Sequence, residues 1–110
     1  MSTEDVYEEE IEYLVEYAEM TPVYFIPVRD AAKNIAGKCR TEAQLQSITL
    51  QLISDMLDRG VQVGDLGSHE DEDFVPWTLP RDQALHKIAS EMKQYDDPLD
   101  FVNICWFAAV

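Results

Sequence analysis

The chain has 110 residues, with 22 Asp and Glu against 8 Lys and Arg, and a formal net charge of −14. That length fits one domain and leaves no room for a second of ordinary size. The charge excludes a conventional phosphate-backbone binder, which needs a basic face, and it disfavours an anionic membrane surface. No direct nucleic-acid partner and no membrane partner is therefore expected.

A hydrophobic fraction of 46% belongs to a globular chain. At this size about two thirds of the unfolded surface is buried, enough for one core without disulfides or a metal. The start, Met-Ser-Thr followed by acids, has no basic region and no apolar run of a secretory signal. The longest mainly apolar stretch, Phe101–Val110, is half of a membrane span. A cytoplasmic protein is expected, with Cys39 and Cys105 reduced and buried as small apolar side chains.

Residues 3–19 read as an amphipathic helix with Thr3 as its cap. Tyr7, Ile11, Leu14, Val15 and Ala18 form its apolar stripe. Asp5, Glu9, Glu12, Glu16 and Glu19 share another face, with no Lys or Arg at i±3 or i±4 to relieve them. Each like-charge pair at that spacing costs a few tenths of a kcal/mol. Thr21-Pro22 ends the helix. Val23–Ile26 is an apolar run between Pro22 and Pro27, either a short strand or an extended connection, and the prolines argue against a central strand. Asp30–Ala36 reads as a short helix stopped by Gly37.

Thr41–Arg59 is the clearest helix. Thr41 and Gln44 make a capping box, and Gly60 stands at the C′ position. Its stripe is Leu45, Ile48, Leu52, Ile53, Met56 and Leu57. Val61–Val63 alternates as a short strand before a Gly64-Asp65 turn. Gly67–Asp73 is an acidic loop, and Phe74–Trp77 an apolar hook. Another helix runs from about Pro80 to Tyr95 with Leu85, Ile88, Ala89 and Met92 inward. Asp97-Pro98-Leu99-Asp100 looks like a helix start. Phe101–Phe107 reads equally as a buried strand, and the favoured reading is a helix start followed by a short apolar terminus packed on the core. The sum is a mainly α, single compact domain of three to five helices, with room for a small β element.

Charge is unevenly spread. Residues 1–28 carry −8, residues 29–64 carry +1 and residues 65–110 carry −7. Two acidic ends flank a neutral middle.

Catalytic chemistry has little to stand on. The histidines are His69 and His86. His86 falls beside the inward Leu85 and reads as surface. Ser68-His69-Glu70 has the residue types of a triad, but neighbours in one loop rarely make one. No GxSxG, Walker A, GxGxxG or HExxH pattern occurs. Asp65 and His69–Asp73 do not match an EF-hand. The expectation is a protein that is not an enzyme, with no metal and no cofactor.

The acids have two readings. One is solubility. The other is a docking surface for a basic protein, in which carboxylates steer association and aromatics supply salt-resistant affinity. The residues expected at such a surface are Glu9, Glu12, Glu16 and Glu19 on the first helix and Glu70, Asp71, Glu72 and Asp73 in the loop. Tyr13, Tyr17 and Trp77 are its candidate anchors.

Asp65-Leu66, Phe74-x-Pro76-Trp77-x-Leu79, Ala84-Leu85-x-x-Ile88 and Trp106-Phe107 form a pattern over residues 57–107. Together with size and acidity, it resembles small acidic bacterial immunity proteins of contact-dependent growth inhibition and other polymorphic toxin systems. The matching positions look like packing and turn positions, so no functional residue carries over. The resemblance implies a toxin inhibitor that neutralises a cognate basic domain, a nuclease above all, by occluding its active site. The alternatives are a DNA-mimic inhibitor of a nucleic-acid-binding protein, or an acidic housekeeping interaction domain with no inhibitory role.

Overall fold

The computed structural model describes residues 3–37, 41–66, 74–94 and 104–109. Among these residues four helices and four short strands follow in the order α1 Thr3–Met20, β1 Val23–Tyr24, α2 Phe25–Ala36, α3 Glu42–Asp58, β2 Val61–Leu66, β3 Phe74–Pro76, α4 Arg81–Gln94 and β4 Trp106–Ala109. The mainly α reading with a small β element holds. Among the described residues, no helix is long and apolar enough to cross a membrane.

The helices follow their periodicity. On α1, Ile11, Leu14 and Ala18 are buried, with Tyr7 and Val15 half-buried beside them. On α3, Leu45, Leu52, Ile53 and Met56 enter the core. Fully burying such a side chain is worth about 1.5–3 kcal/mol. The capping box on α3 is present: the Gln44 amide donates to Thr41 Oγ1 at 3.1 Å and the Thr41 amide donates to Gln44 Oε1 at 2.9 Å. Gly60 follows at φ 97°, a left-handed conformation that a side chain disfavours. On α4 the deepest residues are Ala84, Ile88 and Met92, while the expected Leu85 and Ala89 are half-buried.

The sheet is antiparallel, in the order β1-β4-β2-β3. Val23, Phe107 and Val63 are paired in one row across β1, β4 and β2, and all three are buried. The next row, Tyr24, Trp106, Gly64 and Pro76, belongs to the opposite face. β1 is an edge strand, as its flanking proline requires.

Four sequence expectations are corrected. First, α2 starts at Phe25 rather than Asp30. Pro27 is its third residue, inside the first turn, where a missing N–H breaks no helical bond. Second, Gly64-Asp65 is not a turn but the middle of a six-residue strand. A Cβ at Gly64 would lie 2.1 Å from the Val75 carbonyl oxygen, so this glycine serves the close approach of β3. Third, the apolar hook is strand β3, and the Trp77 amide extends the pairing by donating to the Val63 carbonyl at 2.9 Å. Fourth, the favoured helix start with a short apolar terminus gives way at Trp106–Ala109 to a central strand, the other reading of this segment, because it meets partners on both sides. The expected helix start at Asp97–Asp100, and Cys39, lie outside the described residues. Cys105 is a buried free thiol, and burial pushes its pKa well up.

Polar ties join the helices. Arg29, on α2, is buried and forks onto Glu42 of α3, donating from Nη1 and Nη2 to the two carboxylate oxygens at 2.9 Å each. Those hydrogen bonds hold the Glu42 carboxyl below its ordinary pKa. The Tyr7 hydroxyl on α1 donates to Asp55 on α3. Burial first, and that hydrogen bond second, raise the pKa of the phenol far above its ordinary value.

Candidate protein-binding groove

Glu9, Tyr13 and Tyr17 fall at i, i+4 and i+8, so α1 stacks them in one column. That column borders a groove of about 610 Å³ between α1 and the start of α2. The rings of Tyr13, Tyr17 and Tyr24 line it with Pro27 and Ala31, and Glu9, Glu10, Asp30 and Asn34 supply its polar lining. Tyr24 reaches it because it ends the two-residue strand β1 with opposite parity to the buried Val23.

Two of the tyrosines are open to solvent, and Tyr17 is half-buried against the core. Tyr13 is 54% exposed and Tyr24 37%. The Tyr13 and Tyr17 rings meet edge to face, with centroids 5.9 Å apart and planes at 81°. Tyr24 leans on Trp106 at 5.9 Å, which braces the far side. An exposed aromatic standing alone needs no explanation; three in one groove form an organised surface.

The groove is electrostatically unbalanced. Among the described residues, the ion pairs are Arg29–Glu42, Lys33–Asp30, Arg59–Glu8 and Arg81–Asp58. Glu9, Glu12, Glu16 and Glu19 have no cation within 4 Å in that set, and all four are exposed. Asp30 has only Lys33, 3.9 Å away. Glu10 Oε1 accepts from Asn34 Nδ2 at 3.1 Å, a bond that ties α1 to α2 across the groove and orients the carboxylate.

A second cleft, of about 380 Å³, lies where α3, β2, β3 and α4 meet. Leu57, Val61, Val63, Pro76, Trp77 and Leu79 give it apolar walls. Here the polar groups satisfy one another. Trp77 Nε1 donates to Asp65 Oδ2 at 3.0 Å, and Lys87 Nζ sits 4.2 Å from the ring centroid of Trp77. The Arg81 guanidinium donates to both Asp58 and Ser54, bridging α4 to α3.

The structure therefore sorts the expected site residues. Glu9, Tyr13 and Tyr17 come together in the groove. Glu12, Glu16 and Glu19 lie on the solvent side of the same helix but do not line the groove. Trp77 belongs to the second cleft, away from the others. Glu70, Asp71, Glu72 and Asp73 lie outside the described residues. Sequence reasoning missed Glu10, Tyr24, Asp30 and Asn34. Strand alternation at Tyr24 is a readable signal, whereas the approach of α2 to α1 is not. His86 is exposed on α4. Among the described residues, no three His, Cys, Asp or Glu side chains are grouped to hold a metal ion.

No family model matches the chain, and neither a curated protein nor a solved structure matches it.

Proposed function

We propose that this chain is a non-catalytic binding protein that docks a basic protein partner on the outer face of α1 and its tyrosine groove. The partner we propose is the nuclease domain of a bacterial toxin, met in the cytoplasm, whose cationic active site the acidic face occludes. The observation that carries the reading is the coincidence, on one helix, of four exposed carboxylates, Glu9, Glu12, Glu16 and Glu19, with no cation partner among the described residues, and an exposed tyrosine, Tyr13.

A stability-driven surface would relieve the α1 acids with a lysine, since each like-charge pair costs a few tenths of a kcal/mol. A binding surface gains from leaving them unpaired: uncompensated charge raises the association rate by orders of magnitude. The tyrosines then add apolar contact area at low cost in conformational freedom, and that part of the affinity survives salt.

The test uses a basic nuclease toxin domain, sought first in the gene neighbouring this one. Wild-type protein should inhibit its nuclease activity at one-to-one stoichiometry, with affinity that falls as salt rises. The combined substitutions Glu9→Lys, Glu12→Lys, Glu16→Lys and Glu19→Lys should abolish inhibition while circular dichroism stays unchanged. Inhibition that survives the four reversals would sink the electrostatic docking model. Binding to several unrelated basic proteins, with displacement by DNA, would instead favour the DNA-mimic alternative.

A further inference from the structure

We infer that the tyrosine groove is a receptor for a guanidinium group, delivered by an arginine side chain of the basic partner. This rests on the reading of α1 as the docking face and names the side chain that the face selects.

The second cleft shows what the groove lacks. There an aromatic ring, Trp77, lies against a carboxylate, Asp65, and the chain's own Lys87 covers the ring at 4.2 Å. In the groove the same ingredients recur: ring faces from Tyr13, Tyr17 and Tyr24, and carboxylates from Glu9 and Glu10. Among the described residues no cation stands over any of those rings. On this inference the cation comes from the partner.

The lining selects between the two cationic side chains. A lysine ammonium is a compact, strongly hydrated point charge, well served by the solvated acids Glu12, Glu16 and Glu19. Guanidinium is planar and weakly hydrated, so it stacks on aromatic faces while its edge forks onto a carboxylate. Glu10 is prepared for that fork. One of its oxygens is tied to Asn34 at 3.1 Å, which holds the carboxylate in place before any ligand arrives. Glu9, exposed one residue earlier, can close on the other edge. This chain already pairs an arginine and a glutamate in that bidentate way, at Arg29 and Glu42.

The source of the guanidinium follows from the openness of the groove. A free small molecule calls for a site that buries most of its surface. With Tyr13 54% exposed and Tyr24 37% exposed, this groove covers one face of a side chain and leaves the rest to a larger partner surface.

The experiment is a titration of the isotope-labelled protein, followed by backbone amide and tyrosine ring resonances. The probes are N-acetyl-arginine methylamide, its lysine counterpart and the neutral citrulline counterpart. The arginine probe should shift Glu10, Tyr13, Tyr17, Tyr24 and Asn34 saturably. It should bind at least fivefold tighter than the lysine probe, and the citrulline probe should not saturate. Tyr13→Leu and Glu10→Gln should each weaken the arginine probe at least threefold, and Asp82→Asn, on α4, should not. A lysine probe that binds as well as arginine would overturn the guanidinium preference while leaving α1 as a docking face. Shifts centred elsewhere, or none at all, would overturn the assignment of the groove. A variant with Glu12→Lys, Glu16→Lys and Glu19→Lys, which spares the groove lining, judges the docking face separately against the intact toxin domain.

Discussion

The two clefts are built from the same materials and end in opposite states. The cleft under Trp77 balances itself: Asp65 takes the indole N–H, Lys87 covers the ring and Arg81 is held by Asp58 and Ser54. The groove beside α1 stays open. Tyr13 and Tyr24 stay exposed, and Glu9 has no cation partner among the described residues. Position in the fold decides the difference. The bases near the second cleft, Arg81 and Lys87, come from α4, which packs on α3 beside acids that it can reach. On α1, Glu8 is compensated by Arg59 at 3.2 Å. Glu12, Glu16 and Glu19 are exposed and have no cation partner among the described residues, so their charge is available to a partner.

The largest expected effect breaks the second cleft and spares the first. Gly64→Ala drives a Cβ into the Val75 carbonyl. Separating β3 from β2 should cost about 3 kcal/mol in urea unfolding. Trp77 fluorescence should then report a loosened cleft, while arginine-probe binding at the α1 groove is unchanged. Loss of groove binding in this variant would show that the two regions are not independent.

Next is the tie that seats α1 on the core. Tyr7→Phe removes the donor to Asp55 and should destabilise the protein by about 1.5 kcal/mol in the same assay. The wild-type tie also has a pH signature. The phenol pKa is raised in the folded state, so its contribution is fully present below the ordinary tyrosine value of 10.0 and is lost as pH rises above it. The stability gap between wild type and Tyr7→Phe should therefore shrink in unfolding curves taken at increasing alkaline pH. A constant gap would contradict the phenol's role.

Glu16→Lys sharpens the comparison by giving the open face a base. It removes repulsion from Glu12 and Glu19 and places a lysine four residues after Glu12, so the fold should gain about 0.7 kcal/mol. Affinity for the toxin domain should fall in the same variant. Gain in stability with loss of binding separates a functional face from one that is merely soluble; unchanged affinity would assign Glu16 to solubility alone.

The smallest effect lies on the balanced side. Lys87→Gln uncovers the Trp77 ring and should cost about 0.5 kcal/mol, read as a small drop in melting temperature. A large drop would mean that Lys87 does more than cover the ring.

Much of the helical framework was legible from residue order. The stripes of α1 and α3, the Thr41–Gln44 capping box and the Gly60 stop are local patterns, and local hydrogen bonding suffices to express them. The start of α2 at Phe25 is hidden in the sequence, where Val23–Ile26 reads as one extended apolar run and Pro27 falls in a first helical turn that tolerates it. The strands were harder. Gly64 resembles a turn residue until β3 lies against it, and Trp106–Ala109 is a strand only because β1 and β2 flank it.

By itself the sequence determined the helices, the acidity of both ends and the column of Glu9, Tyr13 and Tyr17, because each depends on spacing along one segment. Only the tertiary structure decided which aromatics share a site. It brought Tyr24, Glu10, Asp30 and Asn34 to that column, and it set Trp77 apart beside Asp65 and Lys87. The physical reason is that a helix carries its periodicity within its own residues, whereas a groove exists only between elements, and charge is paired or left open by what packs against it.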